Sequence, residues 1–280
     1  LKKPTRILHG AFALGVLSLA TDSSAQSIDE DENIVNFAYA VVFGTGVYKV
    51  QDQKAFVFRV PFSYTLREPS AERPGLKILL PALAGYYDYD YDKILEGELP
   101  GDAATLSFVP GLELEYVRSE NWRLKPYGQI GFGRDFKNDE DALIYAAGLK
   151  SHYRIPYEGR FRFAFGSKGI YSGYDPDNGS NQSLGVAAVG LDAIYPWGLS
   201  LFGKQTNLAN FLIYNWYIDS PGFEQATGET ESIAGEFEWG IALGFEQPPR
   251  LLGFRFERLG LAFRYGGDIK AIRLVTEFPF

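Results

Sequence analysis

Over most of this chain the apolar residues recur at every second position, and that period limits the folds open to it. From Ala55 to Arg67 one parity holds Phe56, Phe58, Val60, Phe62, Tyr64 and Leu66; the other holds Ala55, Val57, Arg59, Pro61, Ser63, Thr65 and Arg67. The split returns with Leu106, Phe108, Leu112, Leu114 and Tyr116, and again with Leu143, Tyr145, Ala147, Leu149 and Tyr153. It returns once more with Phe237, Trp239, Ile241, Leu243 and Phe245, and near the end with Leu259, Leu261, Phe263 and Tyr265. A side-chain period of two belongs to extended strands whose two faces meet different surroundings. The chain therefore reads as all-β.

Segment length decides what those surroundings are. The alternating segments run roughly 10–16 residues, longer than the usual 5–6 of globular strands and long enough for a tilted bilayer crossing. In a soluble sandwich the apolar face is the core, whereas in a membrane barrel it meets lipid and the polar face lines the lumen. Trp122, Tyr153, Trp216, Trp239 and Phe280 fall near segment ends, as interfacial girdles require. The pattern predicts a single antiparallel transmembrane β-barrel, an up-and-down meander of about twelve strands. Its segments are 34–48, 54–67, 75–88, 103–118, 121–134, 142–155, 159–173, 183–195, 208–219, 233–246, 258–266 and 269–280. An even count places both barrel ends on the periplasmic side, with short links near Ser119–Glu120 and Pro156–Glu158 there. The polar segments 89–102, 135–141, 174–182 and 220–232 then face outward. Links 196–207 and 247–257 are long for periplasmic turns and leave the count open by about two strands.

The N-terminus has a different composition. Lys2, Lys3 and Arg6 precede the apolar run Ile7 to Ala20 and the small polar stretch Thr21 to Ala25, the pattern of a secretory signal peptide. The expected organisation is a signal peptide over 1–25, a short lead over 26–33 and the barrel domain over 34–280. The absence of cysteine removes disulfides, thiolate nucleophiles and Cys-bound metals. With His9 and His152 as the two histidines no His-rich metal site is expected, nor any cofactor. A net charge of −8 argues against nucleic-acid binding, which needs a basic patch. The acidic runs around Asp88 to Asp92 and Asp135 to Asp141 read as solvated surface, with divalent cations shared with lipid headgroups as the sharper alternative. Asp175-Pro176-Asp177-Asn178-Gly179 reads as a turn.

The second parity carries charge of both signs. Arg59, Glu113, Glu115, Arg123, Lys125, Lys150, His152, Arg154, Arg160, Arg162, Glu236, Glu238, Arg264 and Arg273 are expected to line the lumen, as is Glu277. Such a set makes either a salt-bridged plug or a charged constriction that selects solutes, anions in particular given the basic fifth to seventh segments. In the last segment Ile272, Leu274, Thr276, Phe278 and Phe280 share one parity and the sequence stops on an aromatic residue. That arrangement resembles the C-terminal signal by which outer-membrane barrels are recognised by the barrel assembly machinery.

Five stretches carry a wider resemblance: NFAYAVVFGTGVY (36–48), FRVPFSYTLREPSAERPGLKILLP (58–81), LSFVPGLELEY (106–116), NWRLKPYGQIGFG (121–133) and RLGLAFRYGGDIKAIRLVTEFPF (258–280). Together they resemble the solitary outer-membrane autotransporter-like β-barrel domain, over almost the whole chain after residue 25. The resemblance implies a translocator-like barrel without a passenger, embedded in outer-membrane lipid and lipopolysaccharide and inserted by the assembly machinery. The expected product is a monomeric integral outer-membrane protein of Gram-negative type, porin-like as a narrow pore or purely structural, and not an enzyme. One alternative is a barrel enzyme acting on lipid or lipopolysaccharide through His152, although Ser151 points to the opposite face under period two. Another is a surface adhesin using segments 89–102 and 220–232.

Overall fold

The computed structural model describes residues 42–50, 53–87, 105–137, 139–177, 181–201, 203–219, 223–224, 230–231, 235–251, 254–266 and 269–280. The expected signal peptide, the lead over 26–33, segment 89–102 and most of segment 220–232 lie outside those residues.

Twelve strands form one closed antiparallel barrel in meander order. They are β1 Gly46–Val50, β2 Gln53–Arg67, β3 Gly75–Tyr87, β4 in two pieces (Thr105–Phe108 and Gly111–Val117), β5 Trp122–Asp135 and β6 Glu140–Ile155. The remainder are β7 Arg162–Pro176, β8 Gln182–Tyr195, β9 Lys204–Asp219, β10 Gly235–Phe245, β11 Arg258–Gly266 and β12 Ile269–Val275. Each strand pairs with the next. β1 then pairs with β12, from Gly46 opposite Arg273 to Val50 opposite Ile269, so no sheet edge is left open. Closure matters because lipid cannot hydrogen-bond an exposed backbone edge.

Proline interrupts one strand without interrupting the wall. Pro110 has no N–H to give the ladder, and β4 breaks at Val109 and Pro110. The Val109 amide still donates to the Pro81 carbonyl at 3.3 Å, and the Ile130 amide donates to Pro110 at 2.9 Å. The ladder therefore continues on both sides of the gap.

Parity sorts the two faces. Phe132, Leu191 and Ile218 are 71%, 56% and 75% exposed on the outer wall, while Ile144, Leu184 and Val186 on the other parity are buried. A belt of bare aromatic and aliphatic side chains this broad is out of place in water and suited to lipid. No helix among the described residues is long and apolar enough to cross a membrane. The strands β1 and β2, β3 and β4, β5 and β6, β7 and β8, β9 and β10, and β11 and β12 follow one another at one end, called upper here. The other successive pairs follow one another at the lower end, where the described links 68–74, 118–121 and 156–161 lie. This is the division expected from the even count. The two long lower links are partly taken up by structure of their own. Ser200–Leu201 pairs back onto Lys204 and Gln205 across a turn where Gly203 has φ 72, a left-handed backbone that glycine accepts freely. Arg250–Leu251 likewise pairs with Phe254–Arg255.

Both barrel ends depart from the expected strands. Residues 34–41 of the expected first segment lie outside the described residues; among the described residues the first strand begins at Gly46, with residues 42–45 outside it. Just before it, Phe43 is buried and stacks on the Tyr48 ring with centroids 4.6 Å apart, while the Tyr48 hydroxyl donates to the Gly44 carbonyl at 2.8 Å. The last strand stops at Val275, and Thr276 and Glu277 bend the chain out of the wall. Phe278 and Phe280 are then buried inside the barrel instead of continuing the outward face of Ile272 and Leu274, which are 49% and 42% exposed. Period two records that a residue alternates; it does not say whether lipid or lumen receives the apolar side chain once the strand has ended.

Candidate functional site: the barrel lumen

The upper lumen is filled by small and branched side chains from many strands. Val57 of β2, Leu83 of β3, Ala142, Ile144 and Ala146 of β6, Tyr174 of β7, and Leu184 and Val186 of β8 pack around Phe43 and Tyr48. Val109 completes this layer, and Gln129 of β5 donates to its carbonyl at 2.9 Å. A core of this kind supplies dispersion contacts at the density of a protein interior.

Next to it and down the wall are charged side chains that pair with one another. Glu238 of β10 accepts from Arg264 Nε of β11 and from an Arg273 guanidinium nitrogen of β12, each at 2.5 Å. Glu236 lies 2.8 Å from Arg264 and accepts from the Tyr217 hydroxyl at 2.9 Å and from Asn215 at 3.3 Å. Across the lumen Glu113 of β4 bridges Lys77 of β3 at 3.3 Å and Lys150 of β6 at 2.9 Å. Asp192 of β8 takes a two-pronged contact from Arg258 of β11 at 2.9 and 2.8 Å. Buried charge is tolerated only with such partners, and the bidentate arginines fix geometry as well as charge.

The chain end forms the next layer. Phe278 and Phe280 pack against Ala188, Phe211, Ile213, Ala262 and Val275. Gly166 of β7 and Gly190 of β8 stand directly opposite one another, and the Phe280 ring lies on the flat spot they leave. A Cβ on Gly166 would come 2.3 Å from that ring and one on Gly190 2.8 Å, so both positions need glycine for this close approach. Lys125 donates to the Phe280 main-chain oxygen at 3.1 Å, and the Lys168 ammonium sits 5.5 Å from the ring centroid. Arg258 lies 5.6 Å from the Phe278 ring, and His152 meets that ring edge-on at 6.1 Å.

Beneath the two phenylalanines opens a vestibule of about 790 Å³ at the lower end. Its wall includes Lys77, Glu113, Glu115, Arg123, Lys125, His152, Arg154, Arg162, Asp192 and Arg258, with Phe278 and Phe280 as its inner floor. Three of its carboxylates are engaged: Glu113 and Asp192 as above, and Glu115 by Arg123 at 2.5 Å. Lys125 and Arg154 donate instead to main-chain oxygens, of Phe280 and Glu120. Glu68 and Glu257 also line the vestibule, so charges of both signs meet there, with Lys125 at the phenylalanine floor. At its rim Arg162 pairs with Glu246, which lies in the lower link. Hydrogen bonds from Arg162 hold the Glu246 carboxyl below the usual range, against the opposing effect of partial burial, with Asn207 adding a further bond.

The structure gathers most of the residues expected in the lumen. Glu113, Lys150, Glu236, Glu238, Arg264 and Arg273 belong to the paired set, while Glu115, Arg123, Lys125, His152, Arg154 and Arg162 line the vestibule. Arg59 lies on the lumen face of β2, where the Thr45 hydroxyl donates to its carbonyl at 2.9 Å. Arg160 differs: it sits exposed in the link before β7, where no strand holds the alternation. Glu277 is exposed in the bend after β12. Lys77, Lys168, Asp192, Arg258 and the Gly166–Gly190 pair were not singled out from the sequence. Asp192 and Lys168 carry a signal that parity could have read, since each alternates with outward-facing neighbours.

No family model matches the chain, and no curated protein does. Among solved structures, the beta domain of the Bordetella autotransporter BrkA is similar at 11% identity and a TM-score of 0.49, over 82% of this chain and 91% of that one. What this barrel can do is read from its own residues. The chain is a closed twelve-stranded antiparallel β-barrel.

Proposed function

We propose that this protein is an integral barrel of a bacterial outer membrane that serves as a structural membrane protein with its lumen shut, not as a standing pore. The observation that carries the reading is the upper lumen, where Tyr48, Ile144, Leu184 and Val186 are each no more than 1% exposed. A solute reaching the vestibule from below passes the paired Glu113 and Asp192 in its wall and meets the phenylalanine floor, with the packed layer at the upper end. The long apolar wall and the parity of the connections support insertion with the lower end toward the periplasm.

A conducting barrel is the second reading, favoured by the charged, hollow vestibule, and it would require the upper layer to move. Catalysis through His152 draws little support: Ser151 faces the outer wall, where its hydroxyl oxygen accepts from Trp122 Nε1 at 2.9 Å, while His152 faces the vestibule. The test is cell fractionation followed by planar-bilayer recording of refolded protein whose folding is verified by a heat-dependent gel shift. Recovery with the outer membrane and an electrically silent bilayer are expected. Regular open steps from folded protein at modest voltage would replace this reading with a pore.

A further inference from the structure

Phe280 shows what the inner end of the vestibule can hold. Its ring rests on Gly166 and Gly190, where any Cβ would collide with it. The Lys168 ammonium approaches the ring, and Lys125 donates to the oxygen beside it at 3.1 Å. A flat glycine floor, a cation near the ring and a cation at an oxygen are the three elements needed to recognise an aromatic ring carrying a negatively charged oxygen. The seat opens downward onto a cavity of about 790 Å³, within the range of sites for small organic molecules. Around the cavity Arg154 donates to a main-chain oxygen, whereas Glu113, Glu115 and Asp192 are already neutralised by Lys77 and Lys150, by Arg123 and by Arg258; Glu68 and Glu257 also line the cavity.

We infer that the vestibule is a binding site for small aromatic carboxylates, and that its inner seat is filled by the chain's own Phe280 until such a ligand displaces it. The carboxylate would take the place of the Phe280 oxygen at Lys125, with Arg154 drawing the ligand inward, and the ring would lie on the two glycines. The site does not depend on whether the barrel conducts, so a silent bilayer and a binding barrel are compatible outcomes.

The probe is 3-phenylpropionate, titrated by calorimetry into the folded barrel in a non-ionic detergent, with 3-phenylpropanamide and inorganic phosphate as comparators. The Phe280→Ala variant, with its seat vacated, should bind the carboxylate at least tenfold more tightly than the unaltered protein. Adding Lys125→Gln should remove most of that gain, and adding Gly190→Leu should abolish it. Phe280→Leu provides the same comparison should the alanine variant fail to refold. Equal binding by the unaltered and Phe280 variants would overturn the inference. Amide binding as tight as carboxylate binding would overturn it too, leaving only an apolar hole, and phosphate binding as tight as 3-phenylpropionate would reduce the site to a general anion patch.

Discussion

The two halves of this lumen are built from the same twelve strands and have opposite contents. The upper half holds a packed layer of apolar side chains, whereas the lower half is charged and hollow. The outer wall hardly distinguishes them, since lipid-facing residues such as Phe62, Ile130, Leu191 and Leu261 are exposed at all heights. The difference therefore lies wholly on the inward parity. In the upper half it offers Ala142, Ile144 and Ala146, which interdigitate; in the lower half the same strand offers Lys150, His152 and Arg154, which stand apart or seek carboxylates. One strand thus changes from core to cavity over a few residues. Whether a barrel of this size is solid or open is set by its inward side chains, not by strand number alone.

The boundary between the halves is the place to break this contrast. Glu238→Ala would leave Arg264 and Arg273 buried without their shared carboxylate, and a loss of about 3–5 kcal/mol is expected. Urea unfolding in lipid vesicles, followed by tryptophan fluorescence, measures it; a loss under a tenth of that would mean these pairs are already wet. Ile144→Ala, in the heart of the upper layer, should cost about 3 kcal/mol through the cavity it leaves. The same variant should let brief current steps appear in planar bilayers, so continued silence would show that a second layer closes the path.

Gly166→Ala sharpens the comparison from the lower side. The added Cβ displaces the Phe280 ring, at a cost of about 1 kcal/mol, and the freed residues after Val275 should become sensitive to chymotrypsin. Resistance equal to that of the unaltered protein would mean the seat tolerates a methyl group.

The smallest effect concerns the rim. Because the Glu246 carboxyl is held below its unfolded range by Arg162, the stability this pair contributes is present at neutral pH and disappears as acid protonates Glu246 in the folded state. A Glu246→Gln variant should therefore be slightly less stable than the unaltered protein at neutral pH and equal to it in strong acid. A gap that widened with acidity would reverse the assigned sign.

Much of this contrast could be read in the sequence and some of it could not. Strands β2, β6, β8, β11 and most of the others fall within a few residues of the alternating segments, because lipid on one side and lumen on the other enforce the period along the whole crossing. The lumen set was legible for the same reason, as Glu113, Glu238 and Arg264 each sit on the parity opposite the aromatics. Pairing was not legible. Glu113 chooses Lys77 and Lys150, 36 and 37 residues away on either side, and only the strand register brings them together. The inward turn of Phe278 and Phe280 was hidden for a similar reason. Locally they continue the parity of Ile272 and Leu274, and their destination is fixed by two glycines on strands more than a hundred positions earlier in the case of Gly166.

The absence of cysteine allows a direct measurement of the solid and hollow halves. Single Arg154→Cys and Ala146→Cys variants, folded in lipid vesicles, would be exposed to a water-soluble maleimide, since Arg154 lines the vestibule and Ala146 is 5% exposed in the upper layer. The account predicts rapid labelling at position 154 and none at position 146 until the barrel is unfolded. Labelling of both at similar rates would show a water-filled lumen from end to end and contradict it.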